Sequence, residues 1–342
     1  MIKELFLGLT AILSLSLLAA CQPRTEPAYP EQDSSYQTKS AQVAKTATVY
    51  MTSAITPEGL AAVYKALNIH PQGKIAIKLH SGESDKSNYL RASLISHFIK
   101  SFHGTIVECN TAYGGNRADT ASHEKMIARH GFKDMAPVDI MDAEGEVALP
   151  VKGGRHLKEN YVGKNFLNYD YFVVLSHFKG HAMGGYGGAI KNTSIGIASS
   201  SGKCWIHTAG QNRNNFAASV KQDDFLESMA EAAKSVSDHL KGNIVYVNVM
   251  NRLSVDCDCD GSPQEPEMKD IGILASTDPV ALDQACLDLV YAAPDNKALV
   301  ERIESKHGVH QVEYGEEIGL GTRTYKLIDL DKKGSDAVVV SH

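Results

Sequence analysis

Short apolar runs rich in β-branched residues alternate with segments of helical periodicity through most of this 342-residue sequence. Strands are predicted at residues 46–51, 74–79, 105–108, 138–141, 171–175, 244–249 and 271–274, and helices at 58–67, 91–102, 121–130, 224–240 and 279–291. Such alternation is typical of parallel sheets, because each crossover between parallel strands lays a helix on the sheet. We therefore predict an α/β fold, a mostly parallel sheet with helices on both faces, in a single domain over residues 46–330 followed by a C-terminal tail at 331–342.

The segment before this domain has the features of an export signal. Lys3 precedes an apolar run at residues 5–18, which is shorter than the ~20 residues that a membrane span needs. The run ends in Ala19-Ala20-Cys21, which resembles the bacterial lipobox, where the signal is cleaved before a cysteine that is then acylated. We predict a lipoprotein signal peptide at 1–20 and lipidation of Cys21; an ordinary signal peptide with a chance cysteine is the alternative.

Residues 21–45 are rich in Pro, Ser, Gln and Thr and show no apolar period, which favours a flexible tether. Gln22 is not the Asp that retains lipoproteins in the inner membrane of enteric bacteria, so this analogy favours the outer membrane. We therefore expect a lipid-anchored protein of the cell envelope, facing the periplasm or the outside, that meets the membrane through its anchor. The formal net charge of -6 and the lack of a basic cluster argue against a nucleic-acid partner.

Polar side chains follow the predicted strands at the points where a ligand of a parallel sheet binds. The first group is Lys78, His80 and Glu83, and the second, in a glycine loop, is Asn110, Thr111, Tyr113 and Arg117. These residue types could bind an anion or move a proton. A solvated strand end and an ordinary turn are the alternatives.

The third group lies in the glycine-rich stretch after the strand at 171–175. Five glycines between residues 180 and 188 are framed by His177, Lys179, His181 and Lys191, and Lys203 and His207 follow. Backbone amides and cations suit a phosphate or a carboxylate, although the P-loop spacing is absent. Alternatively, the glycines only allow a helix to pack closely on the sheet.

We assign roles to these residues on the expectation that strand ends converge in one pocket. The candidate catalytic residues are Lys78, His80, His177, His181 and Lys191. The candidate substrate-binding residues are Glu83, Asn110, Thr111, Tyr113, Arg117, Lys179 and Lys203. The expected partner is a small anionic molecule.

Cys257 and Cys259 point the same way on an extended chain and form half of a site for a soft metal. We predict that they bind a transition metal with His207, or else His181, as a third ligand; zinc is the default, and nickel and iron remain open. Beside them the mature chain has Cys109, Cys204 and Cys286, so five cysteines remain once Cys21 is acylated. A disulfide between Cys257 and Cys259, or neither bond, is the alternative.

Taken together, these segments resemble the domain of unknown function 362 family. The similar segments include Lys-x-His-x-Gly-Glu at 78–83, Asn-Thr-x-Tyr-x-Gly at 110–115 and the glycine-rich stretch at 180–192, followed by residues 202–207, Cys-x-Cys at 257–259 and residues 270–283. The resemblance extends over nearly all of residues 46–330. Family members are often labelled iron–sulfur proteins because many carry a ferredoxin-like Cys-x-x-Cys-x-x-Cys insert.

This chain has no cysteine at residues 208–220, so the resemblance does not imply a ferredoxin-type iron–sulfur cluster here. A looser similarity, over the glycine-rich segment alone, is to the nickel-pincer lactate racemases, which have a His pair before a Gly-Gly-x-Lys segment and a later metal-binding His. This resemblance implies that His177, His181, Lys191 and His207 would play those parts. The sequence thus favours a metal- or cofactor-dependent enzyme that performs redox chemistry or proton transfer on a small anion. A non-catalytic binding lipoprotein for an anionic small molecule is the alternative, and an interaction module of the envelope is a third.

Overall fold

The computed structural model describes residues 46–332 and 337–342. The predicted signal peptide, the tether and Cys21 lie outside the described residues. The strands are β1 Ala47–Thr52, β2 Ile75–Lys78, β3 Thr105–Glu108, β4 Val138–Ile140, β5 Glu146–Pro150, β6 Glu159–Gly163, β7 Tyr171–His177, β8 Lys179–His181, β9 Gly185–Gly187, β10 Ile244–Met250, β11 Gly272–Ser276, β12 Tyr325–Asp329 and β13 Val338–Val340. The helices are α1 Pro57–Ala66, α2 Ala92–Ser101, α3 Thr120–Arg129, α4 Ala189–Ser194, α5 Ser200–His207, α6 Gln222–Leu240, α7 Pro279–Ala292, α8 Lys297–Ser305 and α9 His310–Glu317.

Nine of these strands form one sheet in the order β13-β12-β1-β11-β10-β7-β2-β3-β4. The strands from β10 to β4 in that order run parallel to one another. The antiparallel pairs of this sheet lie toward the other edge, between β11 and its two neighbours and between β12 and β13. The predicted mostly parallel α/β sheet is confirmed, and its parallel part brings the carboxyl ends of β2, β3, β7 and β10 to one edge.

Helices cover both faces of the sheet, because successive side chains of a strand point to opposite faces. In β7, Tyr171, Val173 and Leu175 pack into the apolar core under α1, α2 and α3. Phe172 and Val174 enter the other core, which α4, α6 and α7 cover. A fully buried side chain of this kind stabilises the fold by roughly 1.5–3 kcal/mol, so the sheet is anchored on both sides.

Three parts of the chain differ from the sequence-based expectation. The glycine-rich middle, for which the sequence analysis predicts no strand or helix, forms the hairpin β8–β9 and the helices α4 and α5. The predicted C-terminal tail contains β13, which pairs with β12 and so belongs to the sheet. The strand near residue 271 is antiparallel to its neighbours, because β10 reaches it without a crossover helix. No helix within the described ranges is both long and apolar enough to span a bilayer.

Candidate functional site

A cavity of about 330 Å³ opens at the carboxyl ends of β2, β3, β7 and β10. Its lining brings together thirteen of the residues that the sequence singles out: Lys78, His80, Thr111, Tyr113, Arg117, His177, Lys179, His181, Lys191, Lys203, His207, Cys257 and Cys259. The expectation that strand-end groups meet in one pocket with the glycine-rich segment is therefore confirmed. Five of these groups are Lys or Arg, so we call this site the lysine cavity.

The glycine-rich segment can line the cavity because its backbone is packed closely. A side chain at Gly180 would lie 2.3 Å from the carbonyl oxygen of Val255, so only glycine fits where β8 meets the loop that follows β10. Asp283 on α7 accepts hydrogen bonds from the amides of Ala189 and Ile190, at 2.7 and 2.9 Å. These contacts fix the first turn of α4 and with it the position of Lys191.

Two of the cations are paired with buried carboxylates. Lys179 donates to Asp258 at 3.0 Å, and the Nδ1 of His177 lies 2.8 Å from the other oxygen of the same carboxylate. Arg117 donates to Glu83 at 2.9 Å and lies 3.8 Å from Glu108. Burial acts to raise the pKa of the Asp258 carboxyl, but His177 and Lys179 outweigh it, so this pKa is well below its usual range.

The other three cations, Lys78, Lys191 and Lys203, have no carboxylate within 4.0 Å among the described residues. Lys78 donates to the carbonyl of Leu79 and Lys203 to that of Ala198. For Lys191 the described part of the chain supplies no hydrogen-bond acceptor. Lys78 and Lys203 are buried and Lys191 is half-buried. A buried ammonium without a counter-ion is costly, so the fold maintains an uncompensated positive charge here.

The lysine pKa values are low because of this arrangement. Burial, with Lys179, Lys78 and Arg117 adding repulsion, lowers the pKa of Lys191 to about 7. Burial lowers the pKa of Lys78 to about 8, although Glu108 acts in the opposite direction. Both lysines can therefore gain or lose a proton near neutral pH, as a general acid or base must.

Two histidines of the cavity are neutral. Burial, with Arg117 nearby, puts the pKa of His80 well below its usual value, and burial with Lys191 nearby does the same for His181. In each ring Nδ1 accepts a backbone amide, from Gly82 at 3.0 Å and from Gly184 at 2.9 Å. The proton of each neutral ring therefore lies on Nε2, which is left to act as a donor.

Two predicted substrate-binding residues do not line the cavity. Glu83 is held by Arg117 and by the amide and side chain of Asn116. Asn110 lies between Thr120, at 3.0 Å, and His123, at 3.2 Å. These neighbours occupy the hydrogen-bonding atoms of both side chains. The two residues therefore hold the cavity wall in place and do not face a ligand.

The predicted metal ligands are arranged differently from the expectation. Cys257 and Cys259 are joined as a disulfide, the alternative that the sequence left open. A ring nitrogen of His181, not of His207, lies within 4.8 Å of both sulfurs. His207 is excluded from this group because its Nδ1 lies 2.7 Å from the Lys203 carbonyl and its ring stacks on Phe225. Cys109, Cys204 and Cys286 are free and buried, which accounts for the odd cysteine count.

The sequence analysis missed the buried carboxylates that organise the cavity. Glu108 accepts a hydrogen bond from the amide of Ser81 and lies 3.7 Å from His123. Burial acts to raise the pKa of its carboxyl, but His123, Lys78 and His80 outweigh it and lower this pKa. Asp258 stands between Cys257 and Cys259, which the sequence analysis assigns to a metal site. The available signal was an acidic residue at the end of a strand, together with Lys and His residues at neighbouring strand ends. Buried charged groups are usually paired, so such an acidic residue is expected to pair with one of these cations.

The family profile described as "Domain of unknown function (DUF362)" matches residues 75–288 of the chain. No curated protein sequence matches it. Among solved structures, the chain is similar to the lactate racemase apoprotein from Thermoanaerobacterium thermosaccharolyticum, with 16% identity and a TM-score of 0.39 over 70% of this chain and 56% of that one. A protein from Thermotoga maritima is similar at 12% identity and a TM-score of 0.36, over 76% of this chain and 58% of that one. The chain thus spans little more than half the length of either structure.

Proposed function

The chain belongs to the DUF362 family, and we propose that its lysine cavity binds a small anionic molecule and transfers a proton to or from it. The observation that carries this proposal is the set of three lysines, Lys78, Lys191 and Lys203, that share one cavity and have no carboxylate partner within residues 46–332 and 337–342. An anionic ligand supplies the missing negative charge and removes the cost of the unpaired ammonium groups.

In this proposal the three lysines divide the work. Lys78 and Lys203 are held by backbone carbonyls and keep the anion in place. Lys191 has a pKa of about 7, so it exists at neutral pH in both the acidic and the basic form. Its Nζ takes a proton from a C–H or O–H bond of the ligand and returns it, and the neutral imidazoles of His80 and His181 donate hydrogen bonds to the oxygen on which charge develops.

The mouth of the cavity adds a second requirement for the ligand. Tyr113, Met183 and Phe216 line it and are 40%, 45% and 39% exposed. Exposed large apolar side chains gathered at a cavity favour a ligand with an apolar part, because binding would remove them from water. We therefore propose a carboxylate or phosphate that carries a short apolar group.

This function is tested by titration calorimetry of the purified chain against paired anions, for example acetate and hexanoate, and phosphate and a phosphate monoester. We expect the member with the apolar group to bind more tightly, and binding above pH 7 to take up protons, because the bound anion favours the charged lysines. Equal, weak binding of all these anions throughout pH 6–9 would show that the cavity is not an anion site.

The exchange of ligand C–H protons in D₂O, followed by NMR, distinguishes proton transfer from binding alone. We expect exchange with 2-oxo acids, whose C–H bonds next to the ketone are acidified by enolate formation, and loss of exchange in Lys191→Met. Binding without any exchange would favour the second candidate, a non-catalytic binding protein for anions.

We also propose that the protein works in the cell envelope as a lipid-anchored protein. The support is the sequence Leu18-Ala19-Ala20-Cys21 at the end of an apolar run. Cys21→Ala should then stop the incorporation of labelled fatty acid, whereas Cys109→Ala should leave it unchanged. Labelling that survives in Cys21→Ala would place the anchor elsewhere.

A further inference from the structure

The loop after β10 places a disulfide in the wall of the lysine cavity. Cys257 and Cys259 both line the cavity, and a ring nitrogen of His181 lies within 4.8 Å of each sulfur. The loop is fixed against β8 by a hydrogen bond of 2.8 Å from the Gly180 amide to the Ser254 carbonyl. Hence the neighbouring position of the histidine and the two sulfurs is set by the fold.

We infer that this disulfide is a redox-controlled lock on a metal site formed by Cys257, Cys259 and His181. In the oxidised chain the sulfurs are bonded to each other and bind no metal. In the reduced chain two thiolates and the His181 imidazole, whose Nδ1 gives up the hydrogen bond from the Gly184 amide, bind one zinc ion or a similar soft divalent metal. This inference goes beyond the proposed anion binding, which requires neither reduction nor metal.

The donor set fits this metal class. Two thiolates and one imidazole are common ligands of zinc, and three protein ligands leave a fourth position for a small molecule. All three side chains line the cavity, so the fourth position faces the space where the anion is proposed to bind. Lys179 is paired with the Asp258 carboxylate next to the loop. The charges of Lys191 and Arg302 also act on His181, and in the reduced chain the two negative thiolates offset them.

The reductive step is a thiol–disulfide exchange with a dithiol. A dithiol thiolate attacks the sulfur of Cys259, which is the less buried of the two, while Cys257 is only 8% exposed. The electron pair of the S–S bond goes to Cys257, whose sulfur accepts the Cys259 amide at 3.3 Å, a contact that stabilises a thiolate. The second thiol of the dithiol then displaces Cys259, so that the dithiol is oxidised by two electrons and the protein gains two thiols, which release two protons when the metal binds.

The test titrates the full-length chain anaerobically with Co²⁺, before and after reduction with an immobilised dithiol that is removed. Thiols are counted in denaturant in parallel. Reduction should raise the thiol count by two, and only the reduced chain should bind one Co²⁺ with thiolate-to-metal charge-transfer absorption. The Cys257→Ser/Cys259→Ser double variant should show neither the extra thiols nor the absorption.

His181→Gln and His207→Gln form a matched pair, because both histidines line the cavity and only His181 lies beside the sulfurs. Since losing even an outer partner of a ligand costs about 10–100-fold in affinity, His181→Gln should weaken Co²⁺ binding at least tenfold and His207→Gln should leave it unchanged. A reduced chain that binds no Co²⁺, an effect confined to His207→Gln, or charge-transfer absorption in the double serine variant would overturn the inference. Anion titration of the oxidised chain is independent of all these outcomes and tests the proposed function separately.

Discussion

Two buried polar regions of the molecule differ in whether their charged groups have partners. The carboxylate of Glu231 on α6 is 1% exposed and accepts hydrogen bonds from the amides of residues 155–157 and from the Tyr314 hydroxyl. We call these groups the Glu231 cluster. In the lysine cavity, by contrast, Lys78, Lys191 and Lys203 have no carboxylate partner among the described residues.

This difference distinguishes polar groups that stabilise the fold from polar groups that are available to bind a ligand. The Glu231 cluster ties the segment before β6 to α6 and α9, and its acceptor is fully used. None of its residues lines the cavity. The unpaired charges of the lysine cavity lower the stability of the fold until a ligand balances them, which is typical of functional sites.

The largest effect that sharpens this comparison is expected from Glu231→Ala. Four donors lose their acceptor at once, and an unsatisfied buried donor costs about 1–3 kcal/mol, so the free energy of unfolding should fall by at least about 3 kcal/mol. Urea unfolding measures it, with Glu301→Ala, an exposed carboxylate on α8, as a control that should change it by less than about 0.5 kcal/mol. If the anion affinity of the folded variant also fell strongly, the two regions would not be independent.

Lys191→Met should show the reverse pattern. Anion affinity should fall by about 10- to 100-fold, since a hydrogen bond to a charged group contributes about 1.5–3 kcal/mol. The free energy of unfolding at pH 7 should not fall, because an unpaired ammonium is replaced by a methyl group of similar shape. Lys179→Met, which leaves Asp258 without one of its partners, should lower it instead. Unchanged calorimetric affinity in Lys191→Met would place the ligand away from this lysine.

The pH dependence of the free energy of unfolding should also distinguish the two regions, by a smaller effect than the two substitutions above. The pKa of Lys191 is about 7 in the folded chain and 10.5 ordinarily, so between these values the unfolded chain binds the extra proton and stability rises with pH. The rise is at most about 1.4 kcal/mol per pH unit for each lysine, and Lys78 adds to it only above about pH 8. The charged and titratable groups that act on Lys191, or on which it acts, are Lys78, Lys179, Arg117, Asp258, His181 and His207.

The measurement is urea unfolding from pH 6 to 10 for the wild type and Lys191→Met. The rise above pH 7 should be smaller in the variant, whereas Glu231→Ala should keep the full rise at a lower level. Identical slopes in the wild type and Lys191→Met would mean that this lysine keeps its ordinary pKa.

The smallest effect concerns the mouth of the cavity. Phe216→Ser removes part of the apolar rim and should lower the affinity for hexanoate about fivefold, or ~1 kcal/mol, while the affinity for acetate is unchanged. Leu167→Ser, an exposed apolar residue that does not line the cavity, is the control. An equal loss for both anions would indicate that Phe216 shapes the cavity and does not contact the ligand.

Much of the fold could be predicted from local sequence. Predicted and observed bounds agree within three residues for the seven strands and five helices of the regular alternation, because burial on both faces requires apolar runs such as residues 171–175. The convergence of Lys78, His177 and Lys191 followed from parallel pairing, which brings strand ends to one edge. The short elements β8, β9, α4 and α5 were missed, because close backbone packing, not periodicity, defines them.

The sequence by itself determined which residue types stand at the strand ends, and hence that an anion site with nearby thiols was expected. Only the tertiary structure decided which charges are paired. Asp258 neutralises Lys179 and Glu83 holds Arg117, whereas Lys191 receives no carboxylate from the part of the chain that the structure describes. It also decided that His181, not His207, lies beside Cys257 and Cys259. The reason is that hydrogen bonds and ion pairs act over about 3–4 Å, and contacts between residues 80 positions apart are set by how the loops pack, which no local pattern encodes.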